Sequence, residues 1–316
     1  MLKENGFYRG INLGGWFSQC DYSKERLDSF VTEPDFAKIA GWGMDHVRIP
    51  VDYNLFEDNN GGYLEEGFAR LRQALDFCKK YDLRLMLDLH KTAGFSFDDY
   101  AEDEHGFFEN EKYQERFYRL WEEFAKRFGN EPEWVAFELL NEVTDEAFLP
   151  AWKQIIPVCI ERIRKYAPKT LILVGSYQNN AAMTVQYLDA PYDDRVIYNM
   201  HCYEPLKFTH QGAYWTPVID PEVRIPFEES GCTEQYFEEL FSTAIAKAAQ
   251  YNTELYCGEY GVIDRVEPKA AIAWFRTIHA VFERHGIARC AWNYKAMDFG
   301  LERFTDAERE ELLQYL

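Results

Sequence analysis

Apolar residues recur along the chain in two alternating patterns. Short runs rich in β-branched and aliphatic residues stand at 10–17, 46–51, 84–90, 135–141, 171–176, 196–203, 255–261 and 289–294, and several are apolar nearly throughout. Between them lie longer stretches in which apolar residues return every three or four positions, at 66–80, 113–128, 151–166, 234–251 and 269–285. Short continuous apolar runs read as strands buried on both faces, and the helical period reads as helices with one apolar side. Alternation over the whole length predicts βα units on a parallel sheet. About eight such units make an α/β fold, closed as a single (β/α)8 or TIM barrel, the economical expectation. No Gly/Ser-rich or Pro-rich linker divides residues 1–316, which are expected to form one domain. Two connections exceed the roughly 2–6 residues of an ordinary βα loop. They span 91–110, after the third strand, and 204–233, after the sixth. Both would rise from the C-terminal face, where barrel active sites are built, and are expected to wall a cleft.

Composition narrows the partners. Lys and Arg number 34 against 54 Asp and Glu, a formal net charge of −20. Nucleic acid and anionic membrane surfaces, which are bound through clustered cations, are therefore not expected partners. Aromatic residues make up 17% of the chain, which suits either a ring-rich core or a cleft paved for a flat, neutral ligand such as a sugar. The seven cysteines form no CxxC pair, which argues against a disulfide framework and a zinc site and for reduced, buried thiols. The first residues, MLKENGFYRGINLGGW, carry no basic segment followed by an apolar run, and no stretch approaches a membrane span. A cytoplasmic protein is expected, or a secreted one whose leader has been removed. A monomer is expected.

Strand ends carry the candidate chemistry. The fourth run, VAFELL, delivers Asn141 and Glu142, and the seventh, LYCGEYGV, delivers Glu259. In a closed barrel these glutamates would face each other across one mouth. Two carboxylates so placed can combine proton transfer with nucleophilic attack on a glycosidic bond, with retention at about 5–5.5 Å separation and inversion at about 6.5–9.5 Å. Glu138 lies four residues before Glu142, so strand alternation predicts that it points inward lower in the barrel, as a structural ion-pair partner. A divalent ion held by His90, Glu142, His201 and Glu259 is the competing use of the same mouth; Arg48 nearby would oppose a cation, and no metal or other cofactor is expected.

The order of motifs resembles glycoside hydrolase family 5, the cellulase-type retaining glycosidases, over nearly the whole chain: RGINLGGW, HVRIPVD with Arg48, LDLH with His90, LLNE with Asn141 and Glu142, YNMHCY with His201 and Tyr203, GEYGV with Glu259, and AWNYK with Trp292. Within the family, VIYNMHCYEPLKFTHQ, LYCGEYGV and AWNYKAMDF are most similar to the clostridial endoglucanase C type. The resemblance implies a single catalytic barrel with Glu259 as nucleophile, favoured as the anion by Arg48 and a Tyr203 hydrogen bond. Glu142 would be the acid/base, Asn141 would bind the sugar 2-hydroxyl, His201 would orient Glu142, His90 would hold sugar hydroxyls or support the nucleophile, and Trp292 would floor the −1 subsite. Among the remaining rings near loops (Phe17, Phe95, Phe97, Tyr100, Tyr214), Trp16 and Trp215 rank first for substrate contact.

The implied activity is a retaining endo-acting hydrolase of β-1,4-linked glucan, cellulose-type or mixed-linkage. Alternatives are an exo-β-1,3-glucosidase or a β-mannanase or glucomannanase of the same family, or an inactive carbohydrate-binding barrel, which retention of both glutamates disfavours.

Overall fold

Each apolar run becomes a parallel strand: β1 (Arg9–Asn12), β2 (His46–Asp52), β3 (Arg84–Lys91), β4 (Val135–Glu138), β5 (Leu171–Val174), β6 (Val196–Cys202), β7 (Leu255–Tyr260) and β8 (Ala288–Ala291). In the computed structural model, which describes residues 1–98 and 105–316, each strand pairs with the next and β8 pairs back with β1, closing the barrel. The outer layer includes the helices Glu33–Gly41, Glu65–Lys80, Glu111–Phe128, Leu149–Arg164, Glu234–Tyr251 and Pro268–His285. The connection from β5 to β6 is different. A left-handed turn and the 3-10 helix Ala182–Tyr187 take the place of a long helix there.

Strand alternation explains why charged residues sit inside an apolar sequence. On β3, Leu85, Leu87 and Leu89 face the helices, while Met86 belongs to an interior cluster with Phe7, Ala136, Leu173, Ile197 and Tyr256. Those residues form an apolar floor. One step of the pleat higher, the same inward faces carry Arg48, Asp88, Glu138 and Asn199, all fully buried. The barrel is thus filled in layers, apolar below and polar toward the C-terminal mouth.

Several runs leave the sheet earlier than their apolar character predicts. β1 ends at Asn12, β4 at Glu138 and β8 at Ala291, so residues 13–17, 139–141 and 292–294 are loops on the C-terminal face. Three buried tryptophans brace such loops from the helices. Trp121 Nε1 donates to Leu139 O at 3.0 Å, Trp152 Nε1 to Gly175 O at 2.9 Å and Trp274 Nε1 to Glu204 O at 3.0 Å. Much of the aromatic excess therefore lies in scaffolding. The seven cysteines are free thiols, buried except for half-buried Cys20. Among the described residues no helix is long and apolar enough to cross a membrane.

Candidate active site

Arg48 organises the mouth of the barrel. Its guanidinium, buried to 0% exposure, donates from Nε and Nη2 to the two oxygens of Glu138 at 2.7 and 2.8 Å. Nη1 donates to Asn12 Oδ1 at 2.9 Å and to Glu259 Oε1 at 2.8 Å. Nη2 also reaches Asn141 Oδ1 at 2.9 Å and lies 3.0 Å from Asp88 Oδ2. A planar fork with five N–H donors matches such a ring of acceptors. Glu138 therefore has the structural role its spacing predicts, with Asn199 Nδ2 adding a bond at 2.8 Å.

The two glutamates reach the cleft by irregular backbone. On β7, Leu255 and Cys257 belong to the outer core and Tyr256 to the barrel floor, so strict alternation would turn Glu259 outward. The ladder slips between Cys257 and Tyr260, and the bulge re-aims Glu259 inward beside His201. Glu142 lies beyond the end of β4 in a left-handed conformation, φ 40°, so the shared facing with Glu138 expected from a spacing of four does not set its direction. An oxygen of Glu142, an oxygen of Glu259 and a ring nitrogen of His201 lie within 4.8 Å of one another.

The two carboxyls stand in different surroundings. Glu259 accepts from Arg48 and, through Oε2, from the Tyr203 hydroxyl at 2.9 Å. Glu142 Oε1 is 2.7 Å from His201 Nδ1, and Oε2 accepts from Asn179 Nδ2 at 3.1 Å. Burial pushes both carboxyls above the usual range; for Glu259 the proximity of Glu142 adds to the rise, while His201 and Arg48 oppose it. The neighbours of Glu259 include a cation and a phenolic hydroxyl donor, so it is the better placed of the two to ionise. Burial holds His201 down to about 4, which leaves the imidazole neutral near pH 7.

The remaining expected residues also converge. His90 Nδ1 is 2.6 Å from Asp88 Oδ2, which leaves Nε2 for the cleft, and the ring lies parallel to Trp292 at 6.0 Å between centroids. Asn141 spends its carbonyl on Arg48, and its buried Nδ2 has no partner. Trp292 lines a cleft of about 630 Å³ together with His90, Glu142, His201, Tyr203, Trp215 and Glu259. Loop residues from both long connections, among them Phe97 and Trp215, wall it.

Trp16 is a correction. Its ring is buried, stacks on Phe17 at 3.9 Å, donates to Leu27 O at 3.0 Å and does not line the cleft. The contribution of the first loop is Gly14, where a Cβ would lie 2.4 Å from Trp292 Cη2. Phe17 and Phe95 are likewise packing residues, Phe97 and Tyr214 line the cleft, and Tyr100 lies outside the described residues. Sequence reasoning missed Asp88 and Asn179. A polar residue two before a strand-end His could have flagged the first; no spacing signal marks the second.

Glu142, His201 and Glu259 are also the set a divalent ion would use. They do not fit one well. Both oxygens of Glu259 already accept from Arg48 and Tyr203, those of Glu142 face His201 and Asn179, and a guanidinium 2.8 Å from a would-be ligand opposes a cation.

Residues 7–298 match the family model described as cellulase (glycosyl hydrolase family 5). The chain belongs to glycosyl hydrolase family 5. Similar proteins include cellodextrinase A of Ruminococcus flavefaciens, 61% identical over 289 residues that cover 92% of this chain and 86% of that protein. Endoglucanase C of Acetivibrio thermocellus is 36% identical over 320 residues, covering 93% and 92%. Among solved structures, the cellulose synthase subunit Z of Clostridioides difficile superposes with a TM-score of 0.83 at 25% identity, covering 97% of this chain and 99% of that one. This family 5 chain is a glycoside hydrolase on a TIM barrel.

Proposed function

We propose that the protein is a retaining endo-β-glucanase that cleaves β-1,4-linked glucan, with soluble cello-oligosaccharides among its substrates. The observation that carries the stereochemistry is the approach of Glu142 and Glu259, one oxygen of each lying within 4.8 Å of the other. A pair this close matches the retaining separation of about 5–5.5 Å and is shorter than the gap that admits an attacking water. The names of the relatives, a cellodextrinase and an endoglucanase, support the choice of glucan.

In the first step a Glu259 oxygen attacks the anomeric carbon of the −1 sugar, and the glycosidic bond breaks. Glu142 gives its proton to the departing oxygen, so the leaving sugar departs as a neutral alcohol. Arg48 and Tyr203 hold the nucleophile ionised and aimed. Formation of the ester consumes the charge of Glu259, which lowers the proton affinity of nearby Glu142 and prepares it to act as a base. A water then gives Glu142 its proton and attacks the same carbon; the ester breaks, and the β configuration is restored. The unpaired Asn141 Nδ2 supplies a donor for the sugar 2-hydroxyl, a bond that strengthens as the ring becomes oxocarbenium-like. Trp292 offers an apolar face beneath the sugar.

The test is the anomer released first from cellotetraose, followed by proton NMR at early times. β-Anomer is expected before mutarotation; initial α-anomer refutes the mechanism.

A further inference from the structure

Between β5 and β6, three consecutive residues with side chains adopt the left-handed conformation: Gln178 at φ 54°, Asn179 at φ 54° and Asn180 at φ 57°. L-residues other than glycine visit this region singly, and asparagine tolerates it best. Three in succession persist only where the surroundings over-determine them. Here the fastening is to the element that carries Glu142. Gln178 N–H donates to Thr144 O at 3.2 Å and Asn179 N–H to Val143 O at 3.0 Å. On the far side the chain rejoins the barrel where Ala181 bridges to His201. Gly175 makes room for the turn, since a Cβ there would lie 2.1 Å from Asn180 Oδ1.

The side chains follow the backbone. Asn179 Nδ2 donates to Glu142 Oε2 at 3.1 Å, and Asn180 Nδ2 lies 3.5 Å from His201 Nε2, whose Nδ1 is 2.7 Å from Glu142 Oε1. Two adjacent amides therefore address the two oxygens of one carboxyl, one directly and one through an imidazole. An imidazole that accepts at Nε2 carries its proton on Nδ1 and donates to Oε1. Both oxygens of Glu142 then face donors, and a proton on Glu142 has no acceptor among these neighbours, so it is left for the cleft.

We infer that the left-handed turn Gln178–Asn180 is a positioning device for the acid/base, in which Asn179 fixes the Glu142 carboxyl and favours its ionised form while Asn180 fixes the His201 tautomer. The inference rests on the assignment of Glu142 as acid/base. From the other elements Glu142 is faced by Arg48 of β2, Asp88 and His90 of β3, His201 of β6, Tyr203 just after it and Glu259 of β7. The Asn179 side chain donates to Glu142 itself.

The test uses Asn179→Gly, which deletes the amide while keeping a residue at ease with the left-handed backbone, and Asn179→Asp, which keeps the volume. The readout is the pH dependence of kcat/KM on cellotetraose and on 2,4-dinitrophenyl cellobioside, whose leaving group needs no proton. Loss of a donor to the anion raises the pKa of Glu142, so the alkaline limb on cellotetraose moves up by about one pH unit in both variants. At the parent optimum, cellotetraose turnover falls about tenfold, whereas kcat/KM on the dinitrophenyl glycoside stays within about twofold. An unmoved alkaline limb in both folded variants, or equal losses on both substrates, overturns the inference. Glu142→Ala is the separate arm: retention of cellotetraose hydrolysis by that variant refutes the acid/base assignment itself, whatever Asn179 does.

Discussion

Replacing Arg48 by Met tests whether one guanidinium holds the mouth of the barrel together. The side chain is fully buried and contacts three carboxylates, Glu138 through two bonds and Glu259 and Asp88 through one each. Met keeps the length and apolar stem but removes the charge and every donor. Breaking a buried ion pair on one side costs about 3–5 kcal/mol, because the remaining charge is left uncompensated. With an unfolding entropy of about 2.1 cal/mol/K per residue, a chain of 316 residues loses about 1.5 °C of Tm per kcal/mol, so a drop of about 5–8 °C near pH 8 is expected. The pH dependence gives the sign. Burial already raises Asp88, to about 7, and raises Glu138 and Glu259, in each case against the pull of Arg48. Without the guanidinium all three rise further above their unfolded values. The folded state then binds more protons than the unfolded one, and its stability is lost as pH rises from the unfolded pKa toward the folded pKa. The Tm deficit of Arg48→Met should therefore be smaller at about pH 4.5 than at about pH 8, with melting followed by circular dichroism. A deficit below about 2 °C at pH 8, or one that grows on acidification, refutes the reasoning.

Gly14→Ala places a methyl group 2.4 Å from Trp292 Cη2, so the buried indole must shift, an overpacking that costs about 1–3 kcal/mol of stability; kcat/KM on cellotetraose is expected to fall about tenfold or more, and unchanged kinetics would remove Trp292 from the sugar site. The two tryptophans ranked alike from sequence should separate. Trp215→Ala, on the cleft wall, raises KM with a small change in Tm, whereas Trp16→Ala lowers Tm through a buried cavity worth about 3–5 kcal/mol, as kinetics and calorimetry on both variants would show.

The barrel was legible because its strands are apolar on both faces and alternate with helical periodicity, the mark of a parallel α/β sheet, and because about eight such units make closure the economical arrangement. Glu138 was legible for the same reason: a charge within such a strand must face the interior and find a partner, whereas Arg48 was marked by its place in the HVRIPVD motif of the family resemblance. The two acidic residues at the mouth were legible as strand-end carboxylates, but not their directions. Glu259 is turned inward by a bulge and Glu142 by a left-handed backbone, and neither feature leaves a periodic trace. Trp16 was misplaced because a ring beside a Gly-Gly turn reads the same whether it faces the cleft or the core. Asn179 stayed hidden since its partner lies on a different strand end, and only the fold brings the two together.

The most direct measurement is to trap the glycosyl-enzyme ester. Incubation with 2,4-dinitrophenyl 2-deoxy-2-fluoro-β-cellobioside slows both steps through the fluorine and forces the first with the good leaving group. Peptide mass spectrometry should then find the added 2-fluorocellobiosyl group on Glu259, and the label should disappear in Glu259→Gln. A label on Glu142 or on any other residue, with Glu259 unmodified, contradicts the assignment of the nucleophile.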